Sequence, residues 1–302
     1  MKRPAEPAAF RSYYGRPIIK TPTWKVPDVP AYLFLGGLAG ASATMAALAG
    51  ATRRPLLRRT GLLAAAGGAG ASVVALVHDL GRPARFLNML RVLKPTSPLS
   101  VGSWILAPFS ALATAAAGSE ITGLLPGTGR LAGVAAGLVG PAMTTYTAVL
   151  LADTAVPGWH EVHRGLPFLF AGSAVSSAGG LALLCVPTAE AGPARRMAVA
   201  GSALELAAEE VVLAEAGLIA RAYRTGRPGR VLRVARALTA AGALAAAVGG
   251  HRRDVAAAAG LCLLIGGAAT RFGVFDAGCD TARDPAYTVV PQRQRLGGQR
   301  PD

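Results

Sequence analysis

The chain alternates long apolar runs with short polar connections, and the runs lack the regular polar positions that mark a surface strand or an amphipathic helix. Eight runs stand out: Ala31 to Gly50, Gly61 to Val77, Ser100 to Ser119, Leu131 to Ala152, Gly165 to Pro187, Met197 to Ala220, Val231 to Gly250 and Val255 to Thr270. Each is near the ~20 residues a helix needs to cross the ~30 Å hydrocarbon core of a bilayer. The pattern therefore predicts an all-α, polytopic membrane protein with eight transmembrane helices. An even number of crossings puts both termini on one side. The first run carries Gly36-x-x-x-Gly40, a spacing that lets a second helix approach closely. In a chain with 38 glycines it is equally readable as composition alone.

The margins read differently. Residues 1–30 have prolines at 17, 22, 27 and 30, which exclude a helix or a central strand, so an extended tail is expected. Residues 274–302 hold too few apolar side chains to fold alone, and a second extended tail, disordered or lying on a partner, is expected there. No basic, apolar, small-residue succession opens the chain, so no cleavable signal is expected.

Charge changes the picture in one respect. Lys and Arg number 31 against 16 acids, a net of +15. In a soluble chain that excess would suggest nucleic acid. Here the cations fall between apolar runs, where they act as topology signals and contacts to lipid phosphate, so membrane lipid is the expected partner and nucleic acid is not. Of the 31 cations, 22 lie on the side that holds the termini and nine on the other, although Arg53, Arg54, Arg58 and Arg59 crowd that other side. The positive-inside rule then puts both termini, and the loop from His78 to Trp104, in the cytoplasm of a cell whose plasma membrane the chain crosses.

Candidate chemistry is sparse. Cys185, Cys262 and Cys279 lie far apart without a Cys-x-x-Cys pair, so neither an iron–sulfur cluster nor a zinc site is expected in this chain. The four histidines, His78, His160, His163 and His251, sit at run ends or in loops rather than on facing membrane helices, so no haem is expected either. Trp159-His-Glu-Val-His163 lacks the one-turn spacing of a zinc-binding helix, and no metal site is expected. The sixth run carries Glu205, Glu209, Glu210 and Glu215. At about 100° per residue Glu205 and Glu209 share a face. They are candidates for a proton path, or for helix-to-helix hydrogen bonding by protonated acids. At one rim Tyr32, His78, Asp79, Tyr146 and Asp153 should converge. Such groups at the mouth of an apolar bundle supply what a quinone needs, donors for two carbonyl oxygens and a source of protons. They are equally the anchors and caps that span ends commonly carry.

Several stretches together resemble a known family: Ser12-Tyr-Tyr-Gly-Arg-Pro17, Tyr32-Leu-Phe-Leu-Gly-Gly-Leu-Ala-Gly40, Asp79-Leu-Gly-Arg-Pro-Ala-Arg-Phe86, Ser97-Pro-Leu-Ser-Val-Gly-Ser-Trp104, Thr145-Tyr-Thr-Ala-Val-Leu-Leu-Ala-Asp153 and Ala282 to Gln292. The chain resembles the NrfD-type membrane subunits of the polysulfide reductase group. The resemblance implies eight helices in two four-helix bundles, residues 31–153 forming the quinone-site half and 154–273 the second bundle. It implies a haem-free subunit of a molybdopterin oxidoreductase complex, paired with a ferredoxin-like [4Fe-4S] subunit and a molybdopterin catalytic subunit. Electrons would pass between the nearest cluster and a menaquinone bound near Tyr32, His78, Asp79, Arg82, Tyr146 and Asp153. Relatives can have histidine where this chain has Tyr32, and several face their iron–sulfur partner outward, whereas the cation count points inward. Two other readings compete: a secondary transporter, which needs inverted repeats with broken helices, and a purely structural membrane anchor.

Overall fold

Prolines and glycines punctuate the helices at both ends. In the computed structural model, which describes residues 18–82 and 84–297, a proline occupies the first turn of most of the long helices, where its missing N–H costs nothing. Gly81 and Gly123, with φ of 71° and 72°, end two of them in the left-handed conformation. The order is α1 (Asp28–Ala51), α2 (Pro55–Leu80), the short α3 (Ala84–Met89), α4 (Pro98–Thr122), α5 (Pro126–Ala152), the single turn α6 (Pro157–His160), α7 (Leu166–Cys185), α8 (Gly192–Glu215), α9 (Ala220–Arg224), α10 (Gly226–Gly249), α11 (Arg253–Arg283) and α12 (Ala286–Gly297). No strand occurs among the described residues.

Among the described residues eight helices have 20 residues or more, and seven of these are long and apolar enough to cross a membrane. The exception is α8, whose arginines and glutamates leave it short of that measure. Among the long helices, α1 packs against α2 and α5, α4 against α5 and α2, α7 against α8 and α11, and α10 against α11 and α8. Contacts of α7 with α1 and α5, and of α1 with α11, join the two sets. Small residues permit the closest approaches. A methyl group built on Gly40 of α1 would lie 2.5 Å from the Gly140 carbonyl oxygen of α5, and one on Gly180 of α7 would lie 3.0 Å from the Gly260 carbonyl oxygen of α11. The first glycine of the Gly36/Gly40 pair faces Ser72 of α2 instead.

Three expectations need correction. The last apolar run does not stop at Thr270: α11 continues unbroken to Arg283, because Val274, Phe275, Ala277 and Ala282 are buried and keep its inner face packed. A domain boundary at residue 273 would cut that helix. The carboxy-terminal stretch is not extended either, since Ala286–Gly297 forms α12, with the Asp284 carboxylate accepting a hydrogen bond from the Ala286 N–H at its start. The sixth run likewise breaks sooner than expected, α8 ending at Glu215 before a single tight turn at Gly217–Ile219.

At the amino-terminal side, Ile18–Pro27 has no regular structure and lies along the molecule as a strap. Trp24 stacks on Trp159 with ring centroids 5.6 Å apart, and Trp159 packs on Phe275 at 5.5 Å while donating its indole N–H to the Val274 carbonyl oxygen at 2.9 Å. The Tyr223 hydroxyl closes this cluster by donating to the Gly158 carbonyl oxygen at 2.6 Å, and its burial raises the pKa of that phenol. Strap, α6 and the carboxy-terminal third of α11 are thus held together at the end of the molecule where α1 begins. The motif Ser12 to Pro17 lies outside the described residues.

Candidate functional site

Where α1 and α4 begin and α2 and α5 end, a hollow of about 230 Å3 opens. Its apolar lining comes from Trp24, Val29, Leu76, Leu80, Leu99 and Leu150, and its polar lining from Tyr32, Asp79, Ser97, Asp153 and Thr154. Tyr32 is there because α1 starts at Asp28 and carries it one turn inward, buried to 3% exposure. Its hydroxyl lies 2.5 Å from that of Tyr146 on α5, with the rings edge to face. Gly102 of α4 makes room for the Tyr146 ring, since a methyl group there would come within 2.7 Å of a ring carbon.

This hydroxyl pair has a simple proton inventory. Each phenol has one proton, so one lies between the two oxygens and the other is left to seek an acceptor. Neither hydroxyl has a further hydrogen-bond partner among the described residues. Tyr32 borders the hollow, so a Tyr146 proton donated to Tyr32 leaves the Tyr32 O–H for whatever occupies that space. Ser72 on α2 donates to the Tyr32 main-chain carbonyl oxygen at 3.3 Å and fixes α1 against α2 at this level.

Two carboxyl groups stand nearer the mouth. Asp79 accepts from the Lys25 N–H at 2.8 Å with one oxygen, which ties the strap to the end of α2. The Lys25 ammonium adds a bond of 2.9 Å to the His78 carbonyl oxygen. Asp153 caps α5 and is exposed. His78 does not join this lining: its ring turns to Asp28, Nδ1 lying 2.6 Å from the carboxylate, and its side chain is 71% exposed. Arg82 is exposed beyond the Gly81 cap and borders no part of the hollow. Tyr32, Asp79, Asp153 and Tyr146 are therefore brought together, whereas His78 and Arg82 lie outside. Trp24, Lys25, Ser72 and Gly102 were not anticipated.

A second polar cluster lies in the other set of helices. Glu205 on α8, 3% exposed, accepts hydrogen bonds from Thr270 at 2.8 Å, Ser176 at 3.2 Å and Thr239 at 3.5 Å, three side chains from three other helices. Glu209, one turn on, and the more exposed Glu210 both pair with Arg236 of α10. Glu205 and Glu209 do share a face, and between them Tyr223, Arg236, Thr239 and Thr270 enclose a space of about 20 Å3, enough for one water. Next to Thr270 stands Arg271, 1% exposed. Its guanidinium lies 3.8 Å from the centre of the Phe170 ring and donates to the Phe170 carbonyl oxygen at 2.7 Å and the Leu33 carbonyl oxygen at 3.5 Å. Leu33 follows Tyr32, so this buried cation bridges α11 and α7 to the helix that supplies the hollow.

His160 and His163 stack on each other and each hydrogen-bonds a main-chain carbonyl oxygen, with both residues exposed. Among the described residues no three His, Cys, Asp or Glu side chains converge in a way that could hold a metal ion.

Over residues 20–247 the sequence matches the family described as Polysulphide reductase, NrfD. The chain belongs to the NrfD family. No curated protein matches it. The NrfD match begins in the strap and covers every residue that lines the hollow, then stops in the last turn of α10, so α11 and Arg271 lie beyond it. Seven long apolar helices and membership of the NrfD family make this a multi-pass membrane protein, consistent with a membrane subunit of a redox complex.

Proposed function

We propose that this NrfD-family chain is the haem-free, quinone-reactive subunit of a molybdopterin oxidoreductase complex. It would exchange electrons between the [4Fe-4S] clusters of a ferredoxin-like partner and the menaquinone pool. In this reading all eight long helices span the plasma membrane as two four-helix bundles, with α8 carrying its acids inside the second, and both termini are cytoplasmic. The observation that carries it is the Tyr32–Tyr146 hydroxyl pair beside a mostly apolar hollow with carboxylates near its mouth.

The residues fit a quinone. An apolar slot with a buried donor at one end and ionisable groups towards the other is what a ring with two carbonyl oxygens requires. When bound, the quinone supplies two-electron, two-proton redox chemistry at those oxygens. Tyr32 would direct its free O–H into the slot towards a quinone oxygen, and Tyr146, 2.5 Å away, would hold that hydroxyl in place as the donor to it. Asp79 and Asp153 line the same hollow near its mouth, between the slot and the molecule's surface. Trp24, Leu76 and Leu99 keep bulk water from the ring. Glu205 and Glu209 would carry protons through the second bundle, the water-sized space between them serving as a relay.

The test uses the assembled complex. Tyr146→Phe and Asp79→Asn should each slow quinone turnover roughly tenfold or more, within the range that general acid–base groups contribute. Dye reduction by the catalytic subunit should stay unchanged. Full quinone turnover in Tyr146→Phe defeats the site assignment, and loss of both activities together marks an assembly defect.

A further inference from the structure

At the opposite end of the molecule, the turn from α1 to α2 and the start of α5 enclose a second and larger hollow of about 600 Å3. Four guanidinium groups line it, on Arg53, Arg54, Arg58 and Arg130, together with an apolar wall that includes the buried Leu62 and the half-exposed Val134. Two carboxylates stand close by, and both are engaged. Glu120 pairs with Arg58 at 2.6 Å, and Glu190 accepts from the Leu56 and Leu57 N–H groups at 2.9 and 3.2 Å, capping α2. Arg54 reaches only the Glu190 main-chain carbonyl oxygen, at 3.4 Å, and its Nε is buried with no partner. Arg53 and Arg130 are exposed, and neither forms an ion pair among the described residues. Four cations against two carboxylates leave a surplus of positive charge at the mouth of a greasy recess, at the level where membrane helices end.

We propose that this recess binds the headgroup of an acidic phospholipid, its phosphate among Arg53, Arg54 and Arg130 and the start of an acyl chain against Leu62 and Val134. Guanidinium groups match phosphate oxygens in geometry and charge. A surplus of cations beside an apolar wall suits such a headgroup, whereas a zwitterionic lipid would bring its own cation to the same rim. A free anion would have no use for the apolar wall.

In the test, the purified full chain is exchanged in mixed micelles with equal phosphatidylglycerol and phosphatidylcholine, and retained lipid is counted by native mass spectrometry. The wild type should retain phosphatidylglycerol over phosphatidylcholine by about tenfold, and the triple variant Arg53→Gln, Arg54→Gln, Arg130→Gln should lose most of that preference. A charge-matched control at the same end, Arg59→Gln, Arg196→Gln, Arg252→Gln, should keep it. Should the triple variant fail to fold, Val134→Trp decides, because it fills the recess without altering charge and should lower phosphatidylglycerol retention. The proposal is overturned by equal retention of the two lipids in the wild type, by a control that loses as much as the triple variant, by a folded Val134→Trp protein that retains lipid normally, or by millimolar inorganic phosphate displacing the lipid.

Discussion

Around Tyr32 the polar groups border a hollow of about 230 Å3, whereas around Glu205 the free space is about 20 Å3. The first is built from neutral hydroxyls with carboxylates kept near the rim, on apolar helices; the second centres on the less apolar α8 and sets a buried acid, Glu205, near the buried Arg271, beside the more exposed group of Glu209, Glu210 and Arg236. Neutral donors can border an open cavity at little cost. A buried acid or cation must be met on several sides, because an unpaired charge at depth costs a few kcal/mol even on insertion scales. Three hydroxyls and a neighbouring arginine around Glu205 meet that demand and in doing so close the space. The comparison teaches that in this molecule room for a ligand and a network of buried charge are found in different halves.

The largest test of that contrast is Arg271→Ala. It strips donors from the Phe170 and Leu33 carbonyl oxygens and leaves a void where the side chain was buried, so a loss of roughly 2–4 kcal/mol is expected, the cost of unmet buried acceptors and a cavity. Thermal unfolding in detergent should show a markedly lower midpoint, and an unchanged midpoint would mean that this half does not depend on its charges. Next comes Gly102→Val, which drives a side chain into the Tyr146 ring. It should reduce quinone turnover about as much as Tyr146→Phe while costing about 1–3 kcal/mol of stability through overpacking. Glu205→Gln with Glu209→Gln should leave quinone turnover within about twofold while altering proton movement per electron, read with a pH-sensitive dye in vesicles. Unaltered proton movement would reduce both acids to packing groups. The smallest effect is expected of His78→Gln, whose pairing with Asp28 is exposed: about 0–1 kcal/mol by thermal unfolding, with turnover unchanged.

Much of this was legible before any coordinates. Tyr32, Asp79 and Asp153 could be placed together because polar residues at the ends of apolar runs must meet at a common level. Glu205 and Glu209 shared a face because helix geometry leaves no choice. Trp24 and Lys25 escaped notice, since a proline-punctuated segment has no periodicity from which a side chain's neighbours can be read. Arg271 was missed for the opposite reason: its charge read as the end of an apolar run, when the burial of Val274 and Phe275 shows the helix continuing inward. A signal for α12 was present in Asp284, whose carboxylate accepts from the Ala286 N–H, and in Pro285 just before the helix, but the polar residues after it masked that helix. His78 shows the limit of proximity in sequence, for it adjoins Asp79 yet turns to Asp28 instead.

The meeting of Gly40 with Gly140 has a mechanical corollary. Two main chains in direct contact have no flexible side chains between them to absorb a shift, so α1 and α5 can only travel together, and each carries one tyrosine of the hydroxyl pair about two turns away. The span from oxygen to oxygen is thereby geared to a crossing point deep in the bundle, and a bulky substitution at that pivot would retune the pair from a distance.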